Sequence, residues 1–96
     1  MESNRFTFHR RAEQALYTLS PEEQEQVRLT LEMFARIPRK QWPAEEFRKI
    51  SDTEPLYILR IPPRLRLFVR MENGSPPEIE DVALRDRLIA FGANGG

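Results

Sequence analysis

Four arginines, Arg60, Arg64, Arg66 and Arg70, and no acid lie within residues 56–71, LYILRIPPRLRLFVRM, a stretch that otherwise reads as two apolar strands. A guanidinium stays charged at any cellular pH, and its planar fork of donors matches the oxygens of phosphate and carboxylate. A group of them is suited to holding the extra charge of a phosphoryl transition state, where one preorganised stabiliser is worth about 2.7–4 kcal/mol of barrier. They are not suited to moving protons. Phosphoryl transfer also needs a base for the proton of the attacking hydroxyl and an acid for the departing oxygen. The chain offers few such groups. The single His9 stands beside Arg10 and Arg11 and reads as a surface or capping residue. Tyr57 shares its parity with Leu59 and Leu67 and reads as core, while Tyr17 falls on a helical stretch. Acid and base are therefore unassigned by sequence.

The totals exclude several other chemistries. With no cysteine and one histidine there is no disulfide framework, no thiolate nucleophile and no credible zinc site, so neither metal nor cofactor is expected. No apolar run is long enough to span a bilayer and no signal-peptide stretch follows Met1, so a cytoplasmic protein with no membrane partner is expected. Fifteen basic and fifteen acidic side chains cancel. An anionic partner must then be argued from where the charge sits in the fold.

Strand parity decides that. Pro62 and Pro63 cannot take the positive φ angles of a two-residue hairpin turn, so the reversal needs three residues, Pro62-Pro63-Arg64. Ile61 then faces Leu65, Leu59 faces Leu67 and Tyr57 faces Val69, which gathers the odd positions, with Met71, on one apolar surface. The even positions share the opposite face: Arg60, Arg66 and Arg70, with Leu56, Ile58 and Phe68 between them and Arg64 at the tip. A four-residue loop would mix the two sets. Arg60 and Arg66 become cross-strand neighbours, and like charges placed so are destabilising, a cost that points to an anion on this face. Phe68 is placed either to stack a base or to cover apolar surface. The alternative is internal neutralisation by Glu78, Glu80 or Asp81 of the last strand. Arg85 and Arg87 follow that strand and can add to the basic side.

The remaining elements must carry this hairpin. Phe6 and Phe8 alternate with Arg5, Thr7 and His9 as a short strand. Residues 10–19 place Ala12, Ala15, Leu16 and Leu19 on one helical face. Ser20-Pro21-Glu22-Glu23 is a capping box that opens a second helix, with an apolar stripe of Val27, Leu31, Phe34 and Ile37, ended by Pro38. Residues 39–55, with two prolines and no clean period, read as a connection pinned by Trp42. Asn73 to Pro77 is a loop before a last strand over 78–83, and a terminal turn runs from Leu84 to Phe91. The expected architecture is α+β: an N-terminal strand and a two-helix hairpin on one face of a small, mainly antiparallel, four-stranded sheet. One domain over 1–92 and a frayed tail over 93–96 are expected.

Taken together, these segments resemble the RelE/ParE toxin family of type II toxin–antitoxin systems over nearly the whole chain. RRAEQALYTLSPEEQEQVRLTLEMFARIP resembles its helical hairpin, FRKISDTEPLYILRI the run into its central strand, RLRLFVRM its strand "Y-R-[LV]-[LVI]-[FY]", and VALRDR its strand end "V-G-[HK]-R". RelE-like members cut mRNA in the ribosomal decoding site through the sugar 2′-hydroxyl. ParE-like members share the fold and act on DNA gyrase. The resemblance implies a catalytic set of Arg60, Arg66 and Arg85, with Arg64, Phe68, Arg70 and Arg87 binding RNA. It also implies a cognate antitoxin as partner, with mRNA on the ribosome as substrate. Two positions depart from the nuclease pattern: Phe91 stands where RelE-like enzymes use a tyrosine, and Leu84 where a histidine or lysine often precedes the arginine. Both favour the alternatives, a non-catalytic ParE-like toxin acting on gyrase or an inactive member that only binds an antitoxin.

Overall fold

A computed structural model describes residues 5–84. In chain order the elements are β1 (Thr7–Phe8), α1 (Arg10–Tyr17), α2 (Pro21–Ala35), a 3₁₀ turn (Arg39–Gln41), β2 (Phe47–Lys49), β3 (Leu56–Ile61), β4 (Leu65–Arg70) and β5 (Glu78–Leu84). The strands form one sheet in the order β1-β5-β4-β3-β2, with β1 parallel to β5 and every other pair antiparallel. The α+β class is as expected from sequence; the strand count is five rather than four.

The extra strand is β2, which pairs Phe47 with Leu59, Arg48 with Ile58 and Lys49 with Tyr57. Three residues are too few to display a period of two, and among the described residues this strand pairs only with the edge of β3. It therefore left no signal in the segment read as a connection. Trp42 does pin that segment: its indole N–H is shared between the carbonyls of Phe34 at 3.0 Å and Ile37 at 2.8 Å. The ring stacks on Phe6 with centroids 5.6 Å apart and meets the edges of Phe34 and Phe47. Phe47 in turn stacks on Tyr57 at 4.7 Å. Those carbonyls close the C-terminal end of α2, so one side chain satisfies a helix end and anchors the path into β2.

Both helices begin at side-chain caps. His9 Nδ1 accepts from the Arg11 N–H at 3.1 Å, which fixes the start of α1. At α2 the Ser20 hydroxyl accepts from the Glu23 N–H at 3.2 Å and the Glu23 carboxylate accepts from the Ser20 N–H at 3.4 Å, the reciprocal capping box read from sequence, with Pro21 in the first turn. Ala12 of α1 and Val27, Leu31 and Phe34 of α2 lie in one buried cluster with Leu59, Ile61, Leu65, Leu67, Val69, Ile79 and Val82 of the sheet. Ala15, Leu16, Leu19, Ile37 and Met71 pack at its margin. The odd positions of β3 and β4 thus face the helices.

The hairpin register is the one the three-residue loop demands: Ile61 opposite Leu65, Leu59 opposite Leu67, Tyr57 opposite Val69, and Arg60 opposite Arg66. Between β4 and β5 the register shifts at Phe68/Val69. The shift inserts one residue on β5, so that Ile79 and Val82, three apart, are both buried. Leu84 ends β5 opposite Leu65 rather than starting a turn, and the rest of the expected terminal turn and tail lies outside the described residues. Among the described residues no helix is long and apolar enough to cross a membrane.

Candidate functional site

The even positions of the hairpin form the sheet face turned away from the helices, and cross-strand pairing arranges them in rows. Nearest the hairpin tip, Arg60 lies opposite Arg66, which lies opposite Ala83. The next row runs Arg48, Ile58, Phe68, Asp81, and the third runs Leu56, Arg70, Glu78. The Arg60 N–H bonds the Glu46 carbonyl at 2.7 Å, so its backbone points toward β2 and not toward β4. Arg60 and Arg66 are therefore a non-hydrogen-bonded pair, the closer kind, with Cα atoms about 4.5 Å apart. Their side chains share one patch of surface.

Sequence reasoning missed one member of this patch. Arg48 lies in a stretch without a period, which assigns it no face; pairing opposite Ile58 puts it on the same face as Arg60 and Phe68. The only available signal was Phe47-Arg48-Lys49 itself, an apolar residue followed by a basic one. Among the described residues, neither Arg48 nor Arg60 has a carboxylate within ion-pair distance. Arg66 is half-buried, and its Nη1 donates to the Leu65 carbonyl at 2.8 Å. Phe68 is half-buried between Ile58 and Asp81.

The other two arginines of the hairpin are held by acids. Arg64, at the tip, donates from Nε to Glu23 at 3.0 Å and so ties the hairpin to the capped end of α2. The Arg64 hydrogen bond holds the Glu23 carboxyl below its ordinary range, against an opposing contribution from burial. Arg70 is hydrogen-bonded to Glu80 and lies 3.6 Å from Glu54, and the Glu80 bond raises its pKa. Because the register shift places both Glu80 and Asp81 on the outer face with Glu78, β5 presents three carboxylates there. Internal neutralisation thus occurs at Arg70. Asp81 accepts from the Val82 N–H at 2.8 Å and lies 4.0 Å from Arg11 of α1. The outer face is basic toward the hairpin tip and acidic toward β5 and the β4–β5 loop.

The structure accounts for the proton-transfer residues as well. His9 is a helix cap, Tyr57 is stacked on Phe47, and Tyr17 stands on α1 with 80% of its surface exposed. Leu84, opposite Leu65, packs against the core. Arg85, Arg87 and Phe91 lie outside the described residues. Among the described residues no group of acidic, histidine or cysteine side chains is arranged to hold a metal ion.

No family model matches this sequence, and no curated protein matches it either. Solved structures do. The toxin–antitoxin complex RelBE2 from Mycobacterium tuberculosis is 18% identical with a TM-score of 0.66, over 83% of this chain and 95% of that one. YafQ from E. coli gives 7% identity and a TM-score of 0.67, over 86% and 94%. The archaeal RelE–RelB complex from Pyrococcus horikoshii gives 17% identity and 0.64, over 86% and 96%. At these identities the likeness establishes the fold, and the chain has the fold of the RelE-type toxins.

Proposed function

We propose that this chain, folded as the RelE-type toxins are, is the toxin component of a type II toxin–antitoxin system and cleaves mRNA on the ribosome through the RNA 2′-hydroxyl. The observation that carries the proposal is the Arg60–Arg66 pair: two like charges opposite one another on the outer sheet face, with Arg48 and Phe68 one row away. A fold bears that repulsion at a cost of roughly 0.2–1 kcal/mol, and a bound phosphate reverses its sign.

In the reaction the 2′-oxygen loses its proton and bonds to phosphorus, the bond from phosphorus to the 5′-oxygen breaks, and the 5′-oxygen takes up a proton. Arg60, Arg66 and Arg85 are the proposed groups that hold the extra negative charge on the phosphoryl oxygens. Arg48, Phe68 and Arg87 are the proposed contacts to the strand, with Phe68 offering a ring on which a base can stack, whereas Arg64 and Arg70, which parity also offered as contacts, are held by Glu23 and by Glu80 with Glu54. The expected partner is a cognate antitoxin that lays an acidic or amphipathic segment over this face, and the expected setting is the cytoplasm.

The test is a cell-free translation reaction. Added protein should stop synthesis and leave discrete mRNA ends, and Arg66→Ala should abolish both effects. Intact message in the presence of folded protein would remove the nuclease reading. A second reading rests on its own observation: His9 caps α1, Tyr17 stands on α1 and Tyr57 stacks on Phe47, so none of the three lies on the described part of the face. That suits a non-catalytic toxin that contacts DNA gyrase. Inhibition of gyrase supercoiling at stoichiometric protein, with message left intact, would favour it.

A further inference from the structure

We propose that Glu80 is a specificity-determining residue that sets where a single strand ends on the outer sheet face, by occupying Arg70 and closing that end of the face to phosphate. The proposal rests on the reading of this face as RNA-binding and adds to it a limit on the length of strand engaged. Three observations carry it. The first is the irregularity in β5: without the inserted residue, strict alternation from Ile79 would place Glu80 and Asp81 on opposite faces, whereas the shift leaves Glu78, Glu80 and Asp81 all on the outer one. The second is that the Arg70 guanidinium is bonded to Glu80 and lies 3.6 Å from Glu54, two carboxylates on one cation, with Glu78 opposite it on the ladder. An open hollow beside it is lined by Thr7, Arg70, Glu72, Ser75, Pro76 and Glu78, adding a further acid on the same side.

The third is distance. Arg66 and Arg70 are four residues apart on β4, about 13 Å along the strand, which exceeds the screening length of about 8 Å at physiological salt. The basic end near the tip therefore attracts phosphate with little help or hindrance from Arg70. A strand lying across Arg48, Arg60 and Arg66 and stacking on Phe68 meets, one row further, a guanidinium already satisfied and a net excess of negative charge. It stops there, or it turns off the face. The face is built to take a short single-stranded segment and to reject continuation toward the β4–β5 loop.

The probe is a fluorescein-labelled 2′-O-methyl RNA 12-mer, which cannot be cleaved through the 2′ position, titrated by anisotropy from 50 to 300 mM salt. Each phosphate neutralised on a single strand contributes about −0.7 to the slope of log K against log salt. Glu80→Gln keeps the size of the side chain and removes the charge hydrogen-bonded to Arg70, leaving that guanidinium only the more exposed Glu54 at 3.6 Å. It should steepen the slope by about 0.7 and tighten binding roughly three- to tenfold, the gain from one new charge-assisted contact. In an Arg70→Gln background the same substitution should leave the slope unchanged. Thermal melting of each variant establishes that the fold is intact. An unchanged slope in Glu80→Gln, or a gain that survives loss of Arg70, overturns the proposal while leaving the RNA-binding reading in place. That reading fails separately, and takes this proposal with it, if the wild-type protein does not bind the 12-mer at 50 mM salt or if Arg60→Gln leaves its affinity unaltered.

Discussion

Arg60→Gln should make this protein more stable and less able to bind its anionic partner. Arg60 and Arg66 are directly opposite on adjacent strands, in the closer of the two antiparallel pairings. Like charges so placed are unfavourable by about 0.2–1 kcal/mol relative to a neutral pair. Taking about 0.5 kcal/mol, and 4–8 °C of melting temperature per kcal/mol for a domain of this size, the expected gain is about 2–4 °C at low salt. The gain should shrink toward zero in 1 M salt, where the screening length falls to about 3 Å. Arg66→Gln should give a smaller gain, because that side chain also donates to the Leu65 carbonyl. The double variant should be no more stable than the better single one, since the repulsion is removed only once. Differential scanning calorimetry at 50 mM and 1 M salt measures all of this, and the oligonucleotide titration described above measures the accompanying loss of affinity. Loss of stability in Arg60→Gln, or additive gains in the double variant, would refute the idea that this pair is electrostatically strained.

Two further predictions concern what holds the face in place. Trp42→Phe keeps an aromatic ring against Phe6 and Phe34 but leaves the carbonyls of Phe34 and Ile37 without their shared donor; the expected cost is about 1–3 kcal/mol in urea denaturation. Because Trp42 is the sole tryptophan, unfolding should be followed by far-ultraviolet circular dichroism. The Glu23–Arg64 contact predicts an acid-side dependence. Glu23 is held below its ordinary value of 4.5 by Arg64, so its contribution is present above that value and is lost as the pH falls through its lower folded value. Arg64→Gln should flatten the fall in stability on the acid side of pH 4.5. An acid limb identical to wild type would show that the contact does not order the hairpin tip.

The hairpin was legible because two independent constraints agree in it. Pro62-Pro63 excludes the shortest turns, and the apolar odd positions exclude a register one residue off, so pairing and facing follow without coordinates. The capping box at Ser20 and the Trp42 anchor were legible for the same kind of reason: a residue type whose polar or aromatic group has few places to go. Three features were not. β2 is three residues long and takes its conformation from the edge of β3, so the face of Arg48 could not be read locally. The inserted residue in β5 follows from packing Ile79 and Val82 against the same core, which no period of two in EIEDVAL reveals. The locking of Arg64 by Glu23 joins positions 41 residues apart in sequence.

Those unread features change what the face can do. From parity alone the hairpin offers four equivalent arginines, and a uniformly basic face would hold any polyanion in many registers with little preference among them. The fold divides them. Arg64 is bound to Glu23 at the helix cap and Arg70 to the acids around it, Arg66 lies opposite Arg60 and donates to the Leu65 carbonyl, and β2 adds Arg48 to their end of the sheet. Charge is therefore graded along a face whose chain carries no net charge, and the gradient orients a bound strand as well as attracting it. On the proposed reading, a phosphate at the Arg60–Arg66 row would lie between two guanidiniums, and a register shifted toward β5 would meet carboxylates. If the face binds and cleaves RNA as proposed, the positional selectivity for one bond would come from two acids, Glu80 and Glu23, each of which engages an arginine of the hairpin and leaves the Arg60–Arg66 row as the place for phosphate.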